Sequence, residues 1–390
     1  LFALPQNTIY LDGNSLGALP IAVEAAVDEL VSQQWGQDLI ASWNKHSWID
    51  LPVRVGEKIA PLIGAAAGQV VCTDSISVNL FKLLSTALSL QPGRRTIVSQ
   101  KDNFPTDLYM VEGLAQMLGP ERCQLRAVDS DALLDALDED VAVLLLTHVN
   151  FRSGQMHDMQ ALTAAAHEQG VLVLWDLAHS AGVVALELDE WQVDMAVGCG
   201  YNFLNGGPGA PAFLYLAQRH QNTVRQPLSG WMGHRRAFDF APGYEPAAGV
   251  QRYLGGTPGI LSMTALEAAL DVFADVSMHD VRAKSSWLTQ CFMKLVQESA
   301  LDGIRIISPA EPAQRGSQIS LSHDNAYAIA QALIEEGVIV DFRAPDIVRF
   351  GFSPLYNSFR EVGLSADILA RIVREQRFLE PRFQVRSRVT

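Results

Sequence analysis

A succession of short apolar runs, each followed by residues of helical periodicity, constrains this chain most. Residues 70–72, 96–99, 123–128, 141–146, 171–176 and 195–200 read as strands. Residues 55–68, 80–90, 108–118, 131–137 and 159–169 read as the intervening helices. Strands with no polar alternation are buried on both faces. Alternating with helices, they predict an α/β fold whose sheet is mainly parallel and covered on both sides. Such sheets bind ligands outside the carboxyl ends of their strands. Ser75, Phe104, Asp107, Thr147, Asp176, His179 and Tyr201 all fall at or just beyond those ends.

The flanking regions are organised differently. Val23, Val27, Leu30, Val31 and Trp35 recur at helical spacing up to Gly36. Residues 39–48 carry Trp43 and Trp48 in a polar segment, where packing is the ordinary role of such a pair. Residues 218–259 are loop-rich, and 260–276 predict a long helix leading to a second domain. There 304–307, 318–321 and 338–342 read as strands, 326–336 and 366–378 as helices. Arg349 lies inside an apolar strand, so it needs an anion, from the protein or from a substrate.

Composition excludes several classes. A net charge of −14 and a pI near 5.0 argue against a nucleic-acid surface. No apolar run reaches the roughly 18 residues of a membrane span. The four cysteines are scattered without C-x-x-C spacing, so neither a metal centre nor a disulfide framework is expected. A reducing, cytoplasmic setting follows. The chain begins at Leu1 without Met, so residues upstream of it are expected, and no signal peptide is read in what is present.

Residues 171–208 carry the chemistry. A buried strand ends in Trp175-Asp176, His179 follows, and a second strand leads to Tyr201-Asn202 and a glycine-rich turn. An acid at a strand end suits a pyridoxal phosphate (PLP) site, where it keeps the pyridinium nitrogen protonated. The hydroxyls of 73–77 at a strand-to-helix junction suit a phosphate equally with an N-cap.

Read together, YLDGNSLG (10–17), NFPTDLY (103–109), LTHVN (146–150), MHDM (156–159), WDLAHSAG (175–182), LNGGPG (204–209), PLSGWMGH (227–234) and RFGF (349–352) resemble kynureninases, in particular bacterial ones. The resemblance covers essentially the whole chain. It implies the PLP-dependent transferase fold of type I: residues 31–276 as a large PLP-binding domain, and 277–390 as a smaller α+β domain joined by segment 1–30. It also implies hydrolysis of L-kynurenine to anthranilate and L-alanine by a homodimer with shared sites.

The same resemblance implies roles. Ser75 and the backbone of Ile76 cradle the phosphate, Phe104 stacks on the ring, and Asp107 and Thr147 lie beside it. Asp176 pairs with the ring nitrogen, and His179 sits near the ring. Tyr201 lies near the phosphate and assists proton transfer. Trp231 and Thr257 come from the second subunit, Arg349 binds the substrate carboxylate, and Trp43 faces the substrate's aromatic ring. The family's Schiff-base lysine falls at Asn202, and none of the six lysines lies between residues 102 and 283. Asparagine forms no imine and is a poor proton shuttle. Three readings stay open: an otherwise intact kynureninase stalled by a substituted lysine, a relative holding PLP noncovalently for other chemistry, or a noncatalytic ligand-binding protein.

Overall fold

In the computed structural model, residues 1–386 are described. The strands are β1 Ile9–Tyr10, β2 Val70–Cys72, β3 Thr96–Gln100, β4 Gln124–Val128, β5 Val141–Thr147, β6 Leu172–Asp176, β7 Met195–Cys199, β8 Ala212–Leu216, β9 Arg305–Ile306, β10 Gln318–Ser322, β11 Val338–Ile339, β12 Asp341–Arg343 and β13 Ile347–Gly351. The α-helices are α1 Ile21–Glu29, α2 Ser42–Lys45, α3 Leu51–Ile59, α4 Ile76–Leu90, α5 Pro105–Leu118, α6 Met159–Glu168, α7 Ile260–Ala269, α8 Met278–Glu298, α9 Ala326–Glu335 and α10 Phe359–Arg374. No helix among the described residues is long and apolar enough to cross a membrane.

Seven strands form the large sheet in the order β2-β8-β7-β6-β5-β3-β4. It is parallel from β4 to β7, and β8 runs antiparallel to both of its neighbours. Two reversals leave β2 running in the same sense as β7. The residues after β2 therefore emerge at the same edge as those after β3, β5, β6 and β7. The period-two pleat sends Leu144, Leu146, Val173, Trp175, Phe213 and Tyr215 to the layer under α3 and α7. It sends Val143, Leu145, Leu174, Val197 and Leu214 to the layer under α4 and α5. Both faces are thus covered by helices, as the unbroken apolar runs predict.

The second sheet, β12-β13-β10-β9, is antiparallel throughout. Ile319, Leu321, Val348 and Phe350 face the core made with α8, α9 and α10. By alternation, Gln318, Ser320 and Arg349 point to the opposite side, where residues 151–153 meet them: Ser320 Oγ and Gln318 Nε2 donate to carbonyls of that loop. β1 pairs with β11, joining residues 9–10 to the C-terminal half of the chain.

Several expected elements differ. The helix expected at 366–378 spans Phe359–Arg374, and that expected at 55–68 is Leu51–Ile59 followed by a 3₁₀ turn, Ala60–Ile63. Residues 131–137 are one 3₁₀ turn, Ser130–Ala132, and further turns. Arg126 binds both the Ala136 carbonyl and Asp138, drawing this segment against the strand and away from a straight helix. The expected strand 338–342 is divided into β11 and β12, which belong to different sheets. The helix from 260 ends at Phe273 in a 3₁₀ turn. The 21-residue α8 carried no apolar run conspicuous enough to be read.

Candidate active site

The carboxyl edge of the large sheet and the polar face of the second sheet enclose a cavity of about 500 Å³. Ser75, Ile76, Phe104, Asp107, Thr147, Asp176, His179, Tyr201, Asn202 and Arg349 all line it. Residues separated by up to 274 positions thus converge.

Its floor is a carboxyl pair. Register places Thr147 beside Asp176 at the ends of β5 and β6. Asp107, in the first turn of α5, accepts hydrogen bonds from Asn103 Nδ2 (2.8 Å) and Thr147 Oγ1 (3.1 Å). Asn103 also receives the Thr147 N–H at 2.6 Å, so a side chain passed over as loop in the sequence ties the end of β5 to the first turn of α5. Asp176 accepts the Ala178 N–H at 2.9 Å. Burial pushes the Asp176 carboxyl up to about 6, against the hydrogen bonds that it receives. Burial and the charge of Asp176 hold Asp107 well above the usual carboxylate range. Two neighbouring charges in a dry site cannot both persist, so the pair carries at most one.

At one end, Ser75 caps α4, its hydroxyl accepting the Val78 N–H at 3.4 Å. The first N–H groups of a helix have no partner within it, and they and the macrodipole favour an anion. Ile76 offers only its backbone there. Phe104 is half-exposed and stands edge-on to Phe151, with ring centroids 5.3 Å apart, leaving an aromatic wall on the cavity. Burial, then Arg349, depresses the His179 imidazole to about 3, so it is neutral. The Cys199 sulfur, burial and Asp176 all raise the Tyr201 phenol, which keeps its proton.

Asn202 is buried and donates through Nδ2 to the Ala178 carbonyl at 3.0 Å. Among the described residues its Oδ1 has no partner, nor do Asn14 Oδ1, Asp107 Oδ1 and His179 Nδ1. Buried polar atoms without partners are rare and costly. Four of them belong to residues that line this one cavity, which suits a polar ligand with donors and acceptors of its own. No lysine lines the cavity. Lys82, the buried one, is held by Asp74 and the Tyr253 carbonyl, and Lys101 by Asp129 at 2.7 Å.

At the opposite end the anion that Arg349 needs is identified. Its Nε donates to Asp341 Oδ1 at 2.7 Å, and one terminal nitrogen reaches Asp341 Oδ2. That same nitrogen reaches Ser15 Oγ at 3.0 Å, and the other the Phe151 carbonyl at 2.6 Å. The fork is therefore directed at a protein carboxylate. Asn14, Ser15 and Arg343 also line the cavity. Sequence reading passed over Ser15, Asp341 and Arg343. Asp341 and Arg343 straddle Phe342 in a short strand, so period-two alternation places both on one face, the signal that was there to find.

Three expected residues lie elsewhere. Thr257 lines an adjoining cavity of about 470 Å³ that shares Asp74 and Gly209 with the first. Trp231 belongs to an exposed aromatic group with Phe238 and Phe240. Trp43 packs edge-on against Trp48 at 5.8 Å, outside the cavity.

The chain is 51% identical to a kynureninase of Pseudomonas fluorescens and 49% to one of Burkholderia pseudomallei. Each alignment covers all of this chain and 95% of the relative. Residues 281–369 match a family model described as the kynureninase C-terminal domain. Solved structures of similar shape include an apo cysteine desulfurase from Thermococcus onnurineus (TM-score 0.78, 20% identity, 94% of this chain and 95% of that one). Another is a C-DES mutant with glycine covalently linked to its PLP cofactor (TM-score 0.79, 18% identity, 94% and 97%). These share the fold, which is that of the type I PLP-dependent enzymes. With half of its residues identical to curated kynureninases along its entire length, the chain belongs to the kynureninase family.

Proposed function

We propose that the chain is a PLP-dependent hydrolase that takes L-kynurenine toward anthranilate and L-alanine, held at low turnover by Asn202. One observation carries this reading: four unpartnered buried polar atoms belong to residues lining a cavity with an anion-binding helix start at one end and a guanidinium pair at the other. The curated relatives at about half identity bear the name of that activity.

Bound PLP would supply an electron sink for carbanion chemistry at the substrate's α-carbon. Ser75 and the N–H groups at the start of α4 would hold its phosphate, and Phe104 would cover its ring. Asp176 would accept the ring's N–H, with Asp107 and Thr147 beside it. His179, being neutral, offers a hydrogen bond and no charge. Tyr201 keeps its proton and acts as a donor near the phosphate. Arg349 orients the substrate carboxylate. Residues 31–276 form the cofactor-binding domain, and residues 277–390 with 1–30 form the smaller domain. The protein works in the cytoplasm as a homodimer whose partner contributes Trp231 and Thr257, with Trp43 toward the substrate's ring.

Asn202 stands where the family's Schiff-base lysine falls. A neutral amide neither anchors PLP nor removes a proton, and an absent general base alone costs about 10²–10⁴-fold. Asn202 Nδ2 holds the Ala178 carbonyl instead. A ligand-binding protein without turnover is the second reading, and it rests on the same residue.

Restoring the lysine separates them. Asn202→Lys is expected to bind PLP covalently, with a new absorbance band, and to release fluorescent anthranilate from L-kynurenine. The unaltered chain is expected to bind both ligands and release almost none. A restored chain that holds PLP covalently yet yields no anthranilate would mean that the site has lost the reaction beyond residue 202.

A further inference from the structure

The carboxylate end of the cavity holds two guanidinium groups. Asp341 joins them: its Oδ2 accepts from Ser15 Oγ at 2.6 Å and pairs with Arg343 at 2.9 Å and with Arg349. Arg349 is 1% exposed and has committed Nε and both terminal nitrogens, leaving one N–H without a partner. A single N–H cannot grip a carboxylate through two parallel bonds, the geometry that makes arginine selective for that group. Arg343 differs. Its side chain is 35% exposed, and among the described residues, apart from the contact with Asp341, it donates only to the Phe342 carbonyl. Nε and one N–H on each terminal nitrogen stay available beside the cavity.

Charge points the same way. Arg343 and Arg349 carry two positive charges and Asp341 one negative. Asp12, the remaining acid of the group, has an Oδ1 with no partner. Burial, then Asp341, raises its carboxyl to about 7, so at neutral pH it is only partly charged. A residual positive charge is left for an incoming anion.

We infer that Arg343 is a substrate-binding residue. It takes the α-carboxylate jointly with the one free N–H of Arg349, and Asp341 fixes the two guanidinium planes relative to each other. The inference rests on the reading of this cavity as an amino-acid site and adds a second arginine to it.

The test uses the full chain loaded with PLP and isothermal titration with two ligands: L-kynurenine, and kynuramine, the same amine without the carboxylate. Arg343→Gln is expected to weaken L-kynurenine about tenfold to a hundredfold and kynuramine less than about twofold. Arg343→Lys, which keeps the charge without the planar fork, should fall between, and it serves if Arg343→Gln does not fold. Unchanged L-kynurenine affinity in either folded variant overturns the inference, and so does an equal loss for both ligands. If the unaltered chain binds neither ligand, the reading of the cavity fails and the inference falls with it.

Discussion

Asp107 and Asp176 are too close and too dry for both to be charged, and that sets how this site responds to pH. Asp176 titrates near 6 when folded and near the ordinary 3.8 when unfolded. Between those values the folded chain holds a proton that the unfolded chain has released. The Asp176 contribution to the stability of the PLP-free protein therefore falls as pH rises through that window and levels off above it. Asp176→Asn removes the conflict. Relative to the variant, the parent is expected to lose on the order of 2 kcal/mol between pH 4 and pH 7 in thermal or chaotrope unfolding without PLP. An equal parent-to-variant gap at both pH values would mean that folding does not raise the Asp176 carboxyl. The variant should also bind PLP at least about tenfold more weakly, read by fluorescence titration, because the ring nitrogen loses its anion.

Between elements, the loop after β7 is held by the turn after β1. The Gly17 N–H donates to the Tyr201 carbonyl at 2.7 Å, and a Cβ at Gly17 would lie 2.4 Å from the Asn202 carbonyl oxygen and 2.5 Å from the Asn205 Cα. Backbone cannot yield as a flexible side chain does. Gly17→Ala is expected to cost about 1–3 kcal/mol in urea unfolding and to weaken PLP binding by shifting Tyr201 and Asn202. A variant matching the parent in both would show that the loop is free to move. Legibility followed the same physical lines. Strands buried on both faces announced themselves, and so did the residues at their ends, because ends of apolar runs are easy to locate. The false helix at 131–137 has Leu133 and Leu137 at helical spacing, but Arg126 binds the adjoining carbonyl and Asp138, which no local pattern displays. Alternation puts Asp341 and Arg343 on one strand face, but their role depends on Ser15 and Arg349, and only the assembled sheets bring those four together.

For the whole molecule, the surface beside the site is apolar where water would be expected to find polar groups. Trp231, Phe238 and Phe240 are 41%, 59% and 75% exposed and touch one another, with ring centroids 5.5 to 6.5 Å apart. Exposed aromatic clusters of this kind mark interfaces. Phe238 lines the same cavity as Thr257 and Asp74, and Asp74 also borders the phosphate end of the site. A second copy covering this loop would bury the aromatic group and close that end of the site together. The protein is therefore expected to sediment at twice its 42.6 kDa. Phe240→Asp places a charge in the contact and is expected to release monomers. Those monomers should bind PLP about tenfold more weakly or worse, because an open phosphate end is screened by water and salt. Sedimentation velocity and PLP titration on the same samples decide it. Monomers that bind PLP as tightly as the parent would mean that each site is complete within one chain, and a parent that sediments as a monomer would leave the aromatic cluster to some other partner.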